Sequence, residues 1–385
     1  MLRSLLCALV LMIVLWGTGT KAATFDITFI GTAPDAQANA AVEHAADIWA
    51  GILVSDVPIK VRVAWFPLGA GTLGITFPNG RKDFVGAPVA AAWYPTALAN
   101  AITGSEQNPG ENDIDVFLNN GLNIDWYTGV DGNTGGGQYD LVSVALHELG
   151  HGLGFVGLAK KDDADQGSFG LLQMSDFAPL TTSFPWPQLD TLPGIFDRFL
   201  QAPTLEMLVD VPNPSFPLGS FFTCNQLKWN GPQGLLASGG AAIRIYSPGT
   251  FALGSSCVHL NESTYPNSNP NELMTPFSSP GDANHWPGPI CIGILADIGW
   301  TIAPDVGLAE LRNENTWSVH PNPAEDRITL RGEARLGTSI TIRDAQGRII
   351  RLQAFASAID IATLQPGTYL LQVDGSVAPV RFVKY

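Results

Sequence analysis

The chain has 385 residues, 45% of them hydrophobic, enough for two or three globular domains with a sizeable core. Its 35 Asp and Glu against 20 Lys and Arg leave a formal net charge of −15, which excludes the clustered basic surface a nucleic-acid partner needs and favours solubility.

The first residues read as a secretory leader: Arg3 supplies the positive end, Leu5 to Trp16 is apolar, and Thr20 and Ala22 are the small residues of a cleavage site after Ala22. The apolar run is shorter than the roughly 18 residues of a membrane helix, and nothing later approaches that length, so no transmembrane segment is expected in the mature chain. Cleavage removes Cys7 and leaves Cys224, Cys257 and Cys291 where disulfides persist. One bridge and one free thiol are expected, with the pairing open. Cys257, two residues before His259, also invites a metal-ligand reading.

Thr24 to Ile30 alternates as a strand does, Ala36 to Leu53 carries apolar residues at helical spacing, and Ile59 to Trp65 is again a strand. Strand, helix, strand in this order predicts a mixed sheet packed on a helix, the opening of an α+β domain. His44, on that helix between Glu43 and Asp47, reads as a solvated or core side chain. Residues 112–119, NDIDVFLN, alternate as a strand with one buried and one exposed face. The loop from Gly129 to Asp140 places Asp131, Asn133 and Asp140 among glycines, where oxygen ligands can hold Ca²⁺, although the EF-hand spacing is missing and a plain turn reads as well.

The next stretch carries the chemistry. LHELGHGLGF, residues 146–155, contains His-Glu-x-x-His, a pattern that arises by chance in only ~0.3% of chains of this composition. On a helix His147 and His151 share one face and can aim two ring nitrogens at a single Zn²⁺, while Glu148 is rotated away and can take a proton from a water that the ion activates. A catalytic zinc site needs a third protein ligand. No glutamate follows Glu148 until Glu206, which leaves Asp162, Asp163, Asp165 and Asp176 nearby, and the compact pattern with a histidine six residues after His151 meets Gly157 instead. Of the remote histidines, His320 belongs to the C-terminal region, so His259 and His285 stay open. Gly150, Gly152, Gly154 and Gly157 each cost a helix up to ~1 kcal/mol, so the helix should end near Gly154 and the chain turn away.

Residues 160–247 are rich in Pro, Ser, Asp and aromatic residues without helical periodicity, and read as a loop-rich insertion. Regular patterning returns at CIGILADIGW, residues 291–300. Residues 303–316 then read as a linker before 317–385, where RITL, SITIRD, RIIRLQ, TYLLQV and VRFVKY alternate between turns as an all-β sandwich does. That last region has eight Lys and Arg against six Asp and Glu, so the acidity sits upstream, in residues 23–302.

HELGHGLGF, followed far downstream by SSCVHLNE and NELMTPF, resembles the leishmanolysin branch of the metzincin zinc peptidases. That resemblance implies a zincin-type fold, a mixed sheet plus an active-site helix. It further implies His147, His151 and His259 as ligands, Glu148 as general base, and Met274 in the methionine turn beneath the zinc. The fold is expected to begin almost at the leader cleavage site, with no room for a latency propeptide. If it holds, the strand at 112–119 is expected to be an edge that binds an extended protein or peptide substrate by strand addition. The C-terminal region resembles the sorting domain of proteins exported by the type IX secretion system, through PNPAEDRITL, DAQGRII, LQPGTYLLQV and the final RFVKY. It implies that machinery as a partner, and a place outside the cell or on the outer-membrane surface. Three functions fit: a zinc endopeptidase, an inactive surface-binding protein on the same scaffold, and a zinc amidase acting on non-protein amides. Glu148 favours catalysis, because a binding scaffold needs no acid-base residue between its histidines.

Overall fold

A computed structural model describes residues 21–182, 190–304, 318–331, 338–344, 348–373 and 380–385. The leader through residue 20 and most of the 303–316 linker lie outside the described residues. The chain divides into two compact units, with the boundary between Ala303 and Pro304. It is mixed α/β, with several small sheets and few helices.

In the first unit, β1 (Phe25–Ile30), α1 (Ala38–Ile52) and β2 (Ile59–Phe66) follow one another as the alternation and helical spacing predict. β1 and β2 pair in parallel, which requires a crossover, and α1 supplies it. β3 (Gly74–Pro78) and β4 (Ile114–Asn119), with α2 (Thr96–Thr103) between them in the chain, complete a four-stranded sheet in the order β1-β2-β4-β3, with β4 parallel to β2 and β3 antiparallel to β4.

Two expectations for 112–119 are corrected here. β4 lies inside the sheet, and the edge beside it is β3. All six β4 residues are buried, so it has no solvent face. Ile114 on one face packs where a side chain on Gly152 would lie. On the other, Phe117 meets Phe66 and Phe77 edge to face, and Asp115 pairs with Arg62. Strand alternation encodes two faces, but the cover on the second comes from residues such as Phe177 and Leu180 in the insertion.

The helix of the histidine motif, α3 (Leu141–Leu153), starts at Asp140, whose side chain accepts from Ser143 N at 2.7 Å. It ends where the glycines predict, at Gly154 with φ 123°, and Phe155 N then bonds back to Gly150 O. The Trp49 indole donates to Leu146 O at 2.9 Å, tying α1 to the turn before His147. The Trp300 indole donates to Leu153 O at 2.7 Å and fixes the far end.

The insertion consists of short elements, including α4 (Phe216–Phe221) and α5 (Pro232–Ala237). Asp297, on α6 (Pro289–Ile298), accepts from Trp229 Nε1, Gln233 N and Gly234 N, so the insertion is held to the closing helix. The expected disulfide is absent: Cys224, Cys257 and Cys291 are all free. Cys224 Sγ faces Ser247 Oγ at 4.0 Å, Cys257 Sγ lies 3.9 Å from Phe222 O, and Cys291 is buried within α6.

The second unit is the expected β sandwich. One sheet is formed by β5 (Ser318–His320), β6 (Arg327–Arg331) and β9 (Ala358–Asp360). The other runs in the order β8-β7-β10-β11, from β7 (Ser339–Asp344), β8 (Ile349–Ala354), β10 (Gly367–Val373) and β11 (Val380–Lys384). Ile328, Leu330 and Ile359 of one sheet share a core with Ile340, Ile342, Leu371 and Phe382 of the other.

Burial raises the pKa of Asp197 to about 7, and that of Asp113 to about 6 despite the nearby Lys60 charge. Among the described residues Asp197 Oδ2 accepts from Leu158 N and Gly194 N, at 2.9 and 2.8 Å. A carboxyl whose folded pKa lies above its unfolded value stabilises fully at low pH, and that stability is lost as pH rises through the folded value. At about 1.4 kcal/mol per unit, raising pH from ~5.5 to ~8.5 should remove about 2 kcal/mol through Asp197 alone. Thermal unfolding at the two pH values should show the loss in the native chain and a smaller one in Asp197→Asn.

Candidate metal centre

His147 and His151 lie one turn apart on α3, and His259 arrives from the far side of the insertion. Their Nε2 atoms converge, with His151 3.0 Å from His147 and 3.1 Å from His259, and His259 3.3 Å from His147. The Nδ1 atom of each ring meets a main-chain carbonyl: His147 at Leu273 O (2.6 Å), His151 at Phe155 O (2.7 Å), His259 at Ser255 O (2.9 Å). A carbonyl only accepts, so each Nδ1 carries the proton and each Nε2 presents a lone pair. Three lone pairs facing one another cannot be mutual hydrogen bonds; they repel unless a cation sits between them.

Their separations suit one. Two nitrogens 2.0–2.1 Å from a tetrahedral ion lie about 3.3–3.4 Å apart, close to the spacings here. Among the described residues, His147, His151 and His259 form the cluster of His, Cys, Asp and Glu side chains able to hold a metal ion. Burial lowers the pKa of all three: it takes His259 to about 3 with help from the charge of His147, and His151 well below its ordinary value. They are therefore neutral, as ligands must be.

The other candidates are directed elsewhere. His285 bonds Asp140 at 2.8 Å beside the start of α3, with the His44 ring 6.2 Å away. Cys257, buried at φ 69°, is not in the cluster. Asp162, Asp163, Asp165 and Asp176 are exposed, the last two paired with Lys161 and Lys160. In the loop weighed for Ca²⁺, Asp131 accepts from the Tyr127 hydroxyl and from Asn133, while Asp140 caps α3, so the two carboxylates face different partners.

Met274 is fully buried, and a methyl on Gly150 would lie 2.9 Å from its Sδ. Its carbonyl accepts from Leu260 N at 2.7 Å, and the preceding carbonyl is the one that holds His147. The turn around Met274 thus links the segment bearing His259 to the helix bearing His147. Neither carbonyl partners nor this link carries a residue-type signal, since every residue has a carbonyl.

The histidines and Glu148 line a cavity of about 470 Å³. One wall is β3 and its approach, from Gly71 to Pro78; Leu158, Leu172, Met174 and Phe177 form an apolar end. Among the described residues its acidic groups are Glu148, Glu272 and Asp282, and no Lys or Arg lines it. Burial raises the pKa of Glu148 to about 7, against a hydrogen bond from Thr76 Oγ1 at 2.7 Å. The Thr76 contact escaped the sequence reading, because GITF announces only a strand.

Residues 318–380 match the family model of a secretion system C-terminal sorting domain. That domain marks the chain as one exported by type IX secretion, secreted or held at the outer-membrane surface. No helix among the described residues is long and apolar enough to cross a membrane. No curated protein matches the chain. A solved structure with a local likeness is that of PorZ, described as an essential bacterial surface component of the type IX secretion system of Porphyromonas gingivalis. It is 20% identical over 23% of this chain and 14% of that one, with a TM-score of 0.16, and carries no argument about the fold.

Should the three rings hold zinc, replacing His259 by Ala should weaken its binding by at least about 100-fold, the upper end of what losing an outer-shell partner costs. His285→Ala should leave the affinity unchanged. Metal content of the secreted protein, titrated against a competing chelator, measures both.

Proposed function

We propose that the first unit is a secreted zinc-dependent endopeptidase of zincin type, similar to the leishmanolysin branch of the metzincins. The observation that carries this reading is the placing of a buried carboxylate, Glu148, in the cavity where three neutral imidazoles converge. When bound, zinc supplies Lewis acidity to a water and to the carbonyl of the bond to be cut. His147, His151 and His259 would hold it, each fixed through Nδ1 by a carbonyl, with Met274 packed under the helix.

Glu148 does the proton work. With its pKa near 7 it takes a proton from the attacking water and passes it to the departing amine, so the base is restored as the peptide bond is replaced by a carboxylic acid and an amine, which then exchange a proton to become carboxylate and ammonium. Because β3 ends the sheet and lines the cavity, it takes the part first expected of 112–119. An extended peptide can add to its outer edge through main-chain hydrogen bonds, which bring affinity with little sequence preference. The apolar end around Leu158, Leu172 and Phe177 accepts a hydrophobic side chain.

Digestion of casein or gelatin, with and without a chelator, tests the reading on the native chain and on Glu148→Ala. The native chain should cut both proteins and stop when chelated. The variant should keep its zinc and lose roughly 100- to 10,000-fold in rate, the contribution of a positioned base. Full activity in Glu148→Ala would overturn the mechanism, and cleavage of small non-protein amides without proteolysis would make the protein an amidase.

A further inference from the structure

We propose that strand β3 positions Glu148: Thr76 holds one carboxyl oxygen, and the absence of a side chain at Gly74 leaves the space the carboxyl fills. The inference rests on Glu148 being the base, as read above. Thr76 Oγ1 donates to Glu148 Oε2 at 2.7 Å, the one hydrogen bond Glu148's side chain makes among the described residues. Gly74 and Thr76 are two apart on the strand, opposite Leu118 and Val116 of β4, so both face α3. Ile75 and Phe77 face the other way, where Phe77 packs edge to face on Phe117 and Phe177 at 5.9 and 5.2 Å. One face of β3 thus anchors the strand, and the other serves the carboxyl.

Gly74 has no conformational reason to be glycine. It is not among the residues with positive φ, and glycine inside a strand weakens it unless something must approach closely. Here something does. A methyl on Gly74 would lie 2.5 Å from Glu148 Oε1 and 2.7 Å from Cδ and Cγ, nearer than side-chain atoms approach. A methyl there would press on the same carboxyl that Thr76 holds. The strand that would receive the substrate is therefore also the one that orients the base, and a fault in it should appear in turnover more than in binding.

Steady-state kinetics and unfolding of the full secreted chain, zinc-loaded, test this with Thr76→Val, Thr76→Ser and Gly74→Ala, each alone and with Glu148→Ala. In Thr76→Val, kcat should fall roughly 10- to 100-fold, as for a misplaced catalytic group, with KM little changed; Thr76→Ser should recover most of it. Zinc content should stay that of the native chain. Gly74→Ala should lower the melting temperature by roughly 3–10 °C, and that cost should largely vanish when Glu148 is already Ala. Thr76→Val, which preserves volume, decides the matter should Gly74→Ala fail to fold. Native kcat in Thr76→Val, loss of zinc from it, or an equal Gly74→Ala cost in both backgrounds would overturn the proposal. If the native chain cuts nothing, the endopeptidase reading fails by itself, and the unfolding cycle still decides whether β3 holds Glu148.

Discussion

Three main-chain carbonyls hold three imidazoles by their Nδ1 atoms, and much of the first unit is arranged so that those carbonyls stay where they are. Leu273 O belongs to the turn around Met274, Phe155 O to the chain leaving α3, and Ser255 O to the segment before His259. Each fixes the ring's orientation and its tautomer together, so the lone pairs converge before any ion arrives. The burial that keeps the rings neutral also keeps the Glu148 carboxyl poised near neutrality. One buried site therefore meets both requirements of the proposed hydrolysis, unprotonated ligands and a base able to hold and release a proton.

Holding these carbonyls takes elements far apart in the chain. α1 meets α3 through the Trp49 indole, the closing helix region reaches it through Trp300, and Asp297 fastens the insertion to α6. His151 and His259 are 108 positions apart, and the described residues between them form no long helix or strand. Its order comes from being pinned at several points. Ordering so long a connection is costly in conformational entropy, which anchoring by buried side chains such as Phe196 and Trp229 offsets.

The second unit works on other terms. Its core is a closed set of alternating aliphatic residues with Tyr369 and Phe382, and its nine Lys and Arg balance its nine Asp and Glu where the upstream unit is acidic. The sorting-domain match lies within this unit and the imidazole cluster within the other, so delivery and the proposed hydrolysis reside in different parts of one chain.

Residue order alone determined what depends on near neighbours. His147 and His151 share a face because a helix repeats every 3.6 residues, α3 stops at Gly154 because glycine adopts φ 123° at no steric cost, and the sandwich strands follow from period-two alternation. His259 was legible only through likeness to a family, since spacing left His285 equally open. What touches what across the fold was decided by tertiary structure: β4 as an inner strand, β3 as the edge, the three thiols apart, and Gly74 with Thr76 against Glu148. The reason is that alternation says which side a residue faces but not which strand lies beside it, and a hydroxyl, a glycine or a carbonyl has no meaning as a partner until packing supplies the other half.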